Sequence, residues 1–221
     1  MRKANHRSAF ASDPKFMERI SKQLKRDAGQ PPHQPEVTAQ PSAPEKKPSK
    51  ATQRLKKVQH ANMDGRLDLI AFDAASGVLT VCFPGAKLVS LNTMLRVHDA
   101  KATSLKTTWF KRVECLRYLQ KDVFEEWGRS ARFPLVVEEV YISGEANLLD
   151  TESVAAACKP VIDAFVSNGF LPDDSPAYVA HPLPYTSRGT APGLVICFRP
   201  TVRAWGLIED STIQVATSLP G

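Results

Sequence analysis

Acidic side chains and one lysine are concentrated in a short stretch of the second half of the chain. These residues are Asp150, Glu152, Lys159, Asp163, Asp173 and Asp174. Carboxylates and ammonium groups exchange protons and bind ions, so any chemistry of this protein is expected here. Their roles depend on which of them the fold brings together.

A helix over residues 151–168 would align three of these side chains. Lys159 and Asp163 follow Glu152 by 7 and 11 positions, which places each within about 20° of Glu152 on a helix surface. The opposite side is apolar, and its residues are Val154, Cys158, Val161, Ile162 and Phe165. Asp150 precedes the first turn, where free N–H groups stabilise a carboxylate. Pro160 predicts a kink.

The chain after this helix is expected to return towards its start. Asn168-Gly169 is a typical helix end, and the next residues lead into Asp173-Asp174. A short return of this kind brings Asp174 beside the carboxylates at the helix start or beside the neighbouring strand edge. The alternative is that these acidic residues are helix caps, a solvated charge and turn residues.

The remaining pattern predicts an α+β fold, a mixed β-sheet packed by two main helices. Strands are expected at 67–72, 78–83, 134–143, 178–180 and 194–198, with a turn at Ser76-Gly77 and a Pro-rich loop at 182–192. The first main helix should cover 102–127 and end at Gly128, with one apolar stripe that includes Trp109 and Trp127. The second is the helix at 151–168.

Positive charge is unevenly distributed along the chain. The net charge is +9 over residues 1–60 and −3 over residues 61–221. The sequence predicts a basic, partly disordered N-terminal arm at 1–61, with an amphipathic helix at 13–28 and a Pro-rich linker at 30–50. The folded domain is expected at 62–205, followed by a C-terminal tail at 206–221. The arm can attract a polyanion or act as a solvated extension.

Several classes of protein are excluded by composition. No apolar run approaches the ~20 residues that cross a bilayer, and the N-terminus lacks the apolar region of a secretory signal. The four cysteines form no CxxC pair, so they are expected to be reduced, mostly buried thiols of a cytoplasmic protein. The scattered histidines lack the spacing of a zinc site.

Two parts of the sequence carry a resemblance to a known family. The segment from Asp150 to Phe165, followed by Asn168 to Ser175, resembles the core of the RusA-like Holliday junction resolvases. The family has Asp-any-Asp-Asn at the helix start, then a lysine, Asp-Ala-Leu and a later Asp-Asp pair. Phe83-Pro84 and the stretch from Ser90 to His98 are similar to the family's N-terminal strand, turn and basic segment. The likeness covers about residues 76–200.

The resemblance implies a homodimeric, Mg²⁺-dependent endonuclease that cleaves branched DNA in recombination and repair, in a bacterial or prophage setting, with Mn²⁺ as a substitute. Asp150, Glu152 and Asp174 match the catalytic metal ligands, with Asp173 as a further candidate. Lys159 matches the lysine that stabilises charge on the phosphate. The DNA-binding residues implied by the match are Asn92, Arg96, His98 and Lys101.

Two departures from the family pattern leave three functions open. Glu152 stands where the family has Asp, and Ser153 where it has Asn; the longer Glu side chain shifts its oxygens by ~1.5 Å, enough to reduce a rate greatly. The candidates are an active junction endonuclease, a nucleic-acid-binding protein with an impaired site, and an interaction protein that uses its basic, Pro-rich arm.

Overall fold

The computed structural model describes residues 49–95, 99–144 and 148–219, with the backbone alone for 99–102. The predicted helix at 13–28 and the linker up to residue 48 lie outside the described residues. The described helices are α1 Lys50–Asn62, α2 Leu91–Met94, α3 Asp99–Leu119, α4 Lys121–Ser130, α5 Thr151–Ser167 and α6 Asp210–Thr217. The described strands are β1 Leu69–Asp73, β2 Val78–Pro84, β3 Leu135–Ser143, β4 Val179–Ala180, β5 Tyr185–Arg188 and β6 Gly193–Pro200.

The six strands form one mixed sheet, which confirms the α+β class. The strand order is β1-β2-β6-β3-β4, and β5 also pairs with β3. The pairs along β1-β2-β6-β3 are antiparallel, whereas β4 and β5 run parallel to β3. A parallel return needs a long crossover, usually a helix, and α5 is that crossover. The connection fixes α5 against one face of the sheet.

The core lies between the sheet and helices α3, α4 and α5. Every second residue of the central strands is buried, as the two-residue period of a strand requires: in β2 these are Leu79, Val81 and Phe83, and in β6 they are Leu194, Ile196 and Phe198. Trp109 and Trp127, expected in the core, are each 1% exposed. The helices therefore present the apolar stripe that the sequence predicts.

The folded part of the chain starts before the predicted boundary at residue 62. Helix α1 begins at Lys50, where the Ser49 hydroxyl accepts a hydrogen bond from the Thr52 N–H (3.2 Å). Leu55 is buried, and the Asn62 side chain makes two hydrogen bonds to the backbone of Lys87 (2.8 and 2.9 Å). Because these contacts dock α1 on the domain, its cations are held on a structured surface.

The prediction of one helix over 102–127 is wrong, because the helix is interrupted at Gln120. This residue adopts φ −120° and ψ 44° between α3 and α4. Its side-chain amide accepts a hydrogen bond from the Ile70 N–H (2.9 Å) and donates one to the Asp68 carbonyl (2.9 Å), which covers part of the free edge of β1. The second helix also continues past Gly128 to Ser130. Both helices cover the same sheet, so the apolar periodicity does not reveal the break.

Two further elements differ from the sequence prediction. Strand β5 lies within the expected loop at 182–192, where Tyr185 pairs with Val140. Helix α6 lies in the predicted C-terminal tail and buries none of its residues. Within the described ranges, no helix combines the length and the apolarity that a bilayer span requires.

Candidate functional site

Helix α5 carries most of the acidic residues singled out in the sequence, and Asp150 fixes its start. The Asp150 Oδ1 accepts a hydrogen bond from the Ser153 N–H at 2.6 Å, which confirms the predicted cap. This bond lowers the pKa of Asp150 because it stabilises the carboxylate. Glu152 is exposed in the first turn. The Asp150 carboxylate is therefore engaged with its own helix.

Lys159 and Asp163 lie on the exposed side of α5, as their spacing predicts. The Lys159 Nζ is 2.9 Å from Asp163 Oδ1, an ion pair between residues four positions apart. The Nζ of Lys106, on α3, is 3.4 Å from Asp163 Oδ2. Asp163 is thus shared between two ammonium groups.

The chain after α5 turns back and places Asp174 beside Lys159. Gly169 has φ +78°, and the N–H groups of Gly169 and Phe170 donate to the carbonyls of Val166 and Phe165, both at 3.0 Å, which ends the helix. Phe170 and Leu171 are then buried. They anchor the return, and the Asp174 carboxylate accepts a hydrogen bond from Lys159 Nζ.

Lys159, Asp163 and Asp174 form what we call the Lys159 cluster. The pKa of Lys159 is raised by its hydrogen bonds to Asp163 and then Asp174. His181, which is not among the predicted site residues, lies near enough for Asp174 and Lys159 to affect its pKa. Partial desolvation lowers the pKa of His181, the Asp174 carboxylate opposes that shift, and the Lys159 ammonium adds to it. Asp173 remains exposed, and its Oδ1 accepts a hydrogen bond from the Asp174 N–H (2.9 Å).

The carboxylates matched to metal ligands lie at different levels of α5. Lys159 is nine residues after Asp150, a rise of about 14 Å along the helix axis. The Lys159 ammonium, which binds Asp174, points to Asp163 one turn further on. Two carboxylates that share Mg²⁺ each place an oxygen about 2.1 Å from the ion.

The residues matched by the resemblance therefore do not fit a shared Mg²⁺ in this arrangement. In the part of the chain that is described, no three His, Cys, Asp or Glu side chains stand close enough to hold a metal ion. Asp150, Glu152, Asp173 and Asp174 are not brought together as a ligand set. The Mg²⁺ requirement itself stays a prediction.

Of the four residues expected to bind DNA, Asn92 is the one whose side chain the structure describes. Asn92 is exposed on α2, and α2 lies against the start of α5, where the Leu91 N–H is 3.4 Å from the Ser153 hydroxyl. Arg96 and His98 lie outside the described residues. Lys101 belongs to α3, but its side chain is not described.

Comparisons with known proteins assign no family to the chain. No protein-family model matches the sequence, and no curated protein does. The resemblance to RusA-like resolvases rests on the residues quoted for it. Over that stretch the elements follow in the order β2, α2, α3, α4, β3 and α5, and the Asp173-Asp174 return comes after them.

Proposed function

We propose that this protein is a RusA-like protein that binds branched DNA and does not cleave it through a cation held by Asp150, Glu152 and Asp174. The placement of these carboxylates supports the proposal. Asp150 caps its own helix, whereas Asp174 is bound by Lys159, whose backbone lies about 14 Å further along α5. Among the described residues, no three His, Cys, Asp or Glu side chains lie close enough to share an ion.

The binding half of the proposal is supported by charge and by the order of elements. The chain carries a net charge of +6, and basic side chains gain affinity for DNA through release of counterions from phosphates.

The homodimer implied by the resemblance belongs to the same proposal. A cytoplasmic location also belongs to it, because all four cysteines are free thiols. The expectation that these thiols are mostly buried is wrong, since Cys158 alone is fully buried and Cys115 is exposed.

A metal-dependent junction endonuclease is the second candidate, and the contact between Lys159 and Asp174 favours it. The two residues were matched to the family separately, lie 15 positions apart, and meet in the structure. In such an enzyme Lys159 would stabilise negative charge on the phosphate. Cleavage would then require the start of α5 to move relative to Asp174.

Binding to synthetic DNA tests the proposal. Fluorescence anisotropy should show several-fold tighter binding to a four-way junction than to a linear duplex of the same length. Neither Mg²⁺ nor Mn²⁺ should produce a nick, even with protein in excess over DNA, because the carboxylates lie apart. Binding should persist in Asp174→Asn.

Two results would count against this proposal, each in a different way. A metal-dependent product that disappears in Asp174→Asn and persists in the matched control Asp173→Asn would establish the endonuclease. Equal affinity for junction and duplex would remove branched DNA as the ligand.

A further inference from the structure

A groove lined by basic side chains lies between α1 and the segment that follows β2. The side chains used below are Lys50, Arg54, Lys57, Lys87, Ser90 and Asn92. Two adjoining depressions of about 430 and 460 Å³ make up this basic groove. The described residues that line it include no acidic side chain. It extends to Ser143 at the end of β3 and to Leu149 beside the start of α5.

The cations of the basic groove are held by packed elements of the fold. Lys50, Arg54 and Lys57 follow the spacing of four and three positions that places side chains on one face of a helix. Leu55, on another side of α1, is buried in the core. The two hydrogen bonds between the Asn62 side chain and the Lys87 backbone fix Lys87 beside α1. The cationic face is therefore organised before a ligand binds.

Two of these cations are available to a ligand. Lys50 and Arg54 are exposed, and neither forms an ion pair with any described residue. By contrast, Lys106 and Lys159 are paired with aspartates. Exposed, unpaired cations beside hydroxyl and amide groups, here Ser90 and Asn92, are the side-chain types that contact phosphate oxygens.

We propose that the basic groove binds the phosphate backbone of a nucleic acid. The inference rests on the proposed DNA function and adds to it the cations of α1, which precede the stretch that resembles the family. From Lys50 to Lys57 the cations extend over about 10 Å of the α1 axis, and a DNA strand presents a phosphate about every 3.4 Å of duplex axis. This length corresponds to about three phosphate steps of one strand, so Lys50 and Arg54, which form no ion pair with any described residue, can reach phosphates of the same strand.

A double substitution in the full-length chain tests the groove. Lys50→Gln with Arg54→Gln should reduce the salt dependence of junction binding, lowering the slope of log K against log salt by about 2, since each lost phosphate contact removes about 0.9. The affinity should fall by about tenfold or more at low salt. Circular dichroism and the thermal midpoint should stay unchanged, because both side chains are exposed.

A matched control removes two cations at the other end of the sheet. Arg129 and Arg132 are exposed and precede β3. Ser143, at the groove, is the last residue of β3, and the length of the strand separates its first and last residues by about 26 Å. Arg129→Gln with Arg132→Gln should leave the slope close to that of the wild type.

Three results would overturn the groove proposal, and they separate it from the proposed function. An unchanged slope in the Lys50/Arg54 variant, with intact junction binding by the wild type, would reject the groove and keep the function. Equal losses of affinity and salt slope in the groove and control variants would show that the effect comes from net charge and not from the basic groove. If the wild type bound polyglutamate through Lys50 and Arg54 but bound no DNA, the groove would be a site for acidic peptides and both proposals would fail.

Discussion

Two charged clusters of this protein each bind a cationic side chain to aspartate, one in the core and one at the surface. Arg112 binds Asp68 through two hydrogen bonds (2.7 and 2.6 Å), and both side chains are 2% exposed. In the Lys159 cluster the side chains of Lys159, Asp163 and Asp174 are 58%, 33% and 27% exposed. The first pair lies inside the domain, and the second cluster lies at its surface.

The buried pair makes several further contacts with the surrounding fold. Arg112 also donates to the Pro84 carbonyl (3.2 Å), and its guanidinium lies 5.2 Å from the Phe83 ring and 5.4 Å from the Trp109 ring. Its Nη1 has no hydrogen-bond partner among the described residues. The pair therefore connects α3 to the two chain segments at the open end of the β1–β2 hairpin, whereas the exposed cluster lies in contact with solvent.

Breaking the buried pair should have the largest effect on stability. Arg112→Met leaves the Asp68 carboxylate buried without a counterion, and such a change typically costs about 3–5 kcal/mol. We expect a loss of this size in the free energy of unfolding, measured by urea denaturation.

The double variant Arg112→Met with Asp68→Leu separates the unpaired charge from lost packing. Because it removes both charges, it should be more stable than Arg112→Met alone. A double variant that is as unstable as the single one would show that shape, not charge, dominates this site.

A buried acid without a counterion should have the next largest effect. Glu139 of β3 is 6% exposed; burial raises the pKa of Glu139 to about 7, while its hydrogen bond with Cys158 opposes the shift. The folded-state pKa is thus above the unfolded value near 4.3. The stability contribution is fully present below about pH 4 and is lost as the pH rises through 7. Between pH 5 and 8 the wild type should lose about 2–3 kcal/mol from this group.

The variant Glu139→Gln should flatten this pH dependence, because an amide does not titrate. The matched control is its neighbour Glu138, which pairs with Arg199 (3.2 Å) on the more exposed side of β3. Glu138→Gln should keep the loss of stability between pH 5 and 8. An unaltered pH profile in Glu139→Gln would mean that another group is responsible.

Regular periodicity made much of the fold predictable. The expected strand at 134–143 and helix at 151–168 agree with β3 and α5 within a residue at either end. The interruption at Gln120 was missed because it is stabilised by hydrogen bonds to β1, some 50 residues away in sequence. Strand β5 was missed because its pairing with β3, rather than an alternating pattern, defines it.

The candidate site was predictable only where local spacing determines it. The cap at Asp150 and the pair of Lys159 with Asp163 follow from positions within one helix. The return of Asp174 was expected beside the carboxylates at the helix start or beside the neighbouring strand edge, whereas in the structure Phe170 and Leu171 are buried and Asp174 contacts Lys159. Lys106 approaches from α3, a tertiary contact that no spacing in the sequence encodes.

Removing the ammonium of the exposed cluster should have the smallest effect. Lys159→Met breaks two ion pairs, yet solvent screens exposed charges and such pairs contribute about 0–1 kcal/mol. We expect urea denaturation to give a change below about 1 kcal/mol, well under that of Arg112→Met. The exposed pair of Lys121 with Glu125 offers a matched control, and Lys121→Met should behave alike. A loss of several kcal/mol in Lys159→Met alone would make the cluster a structural element, equivalent to the Arg112–Asp68 pair.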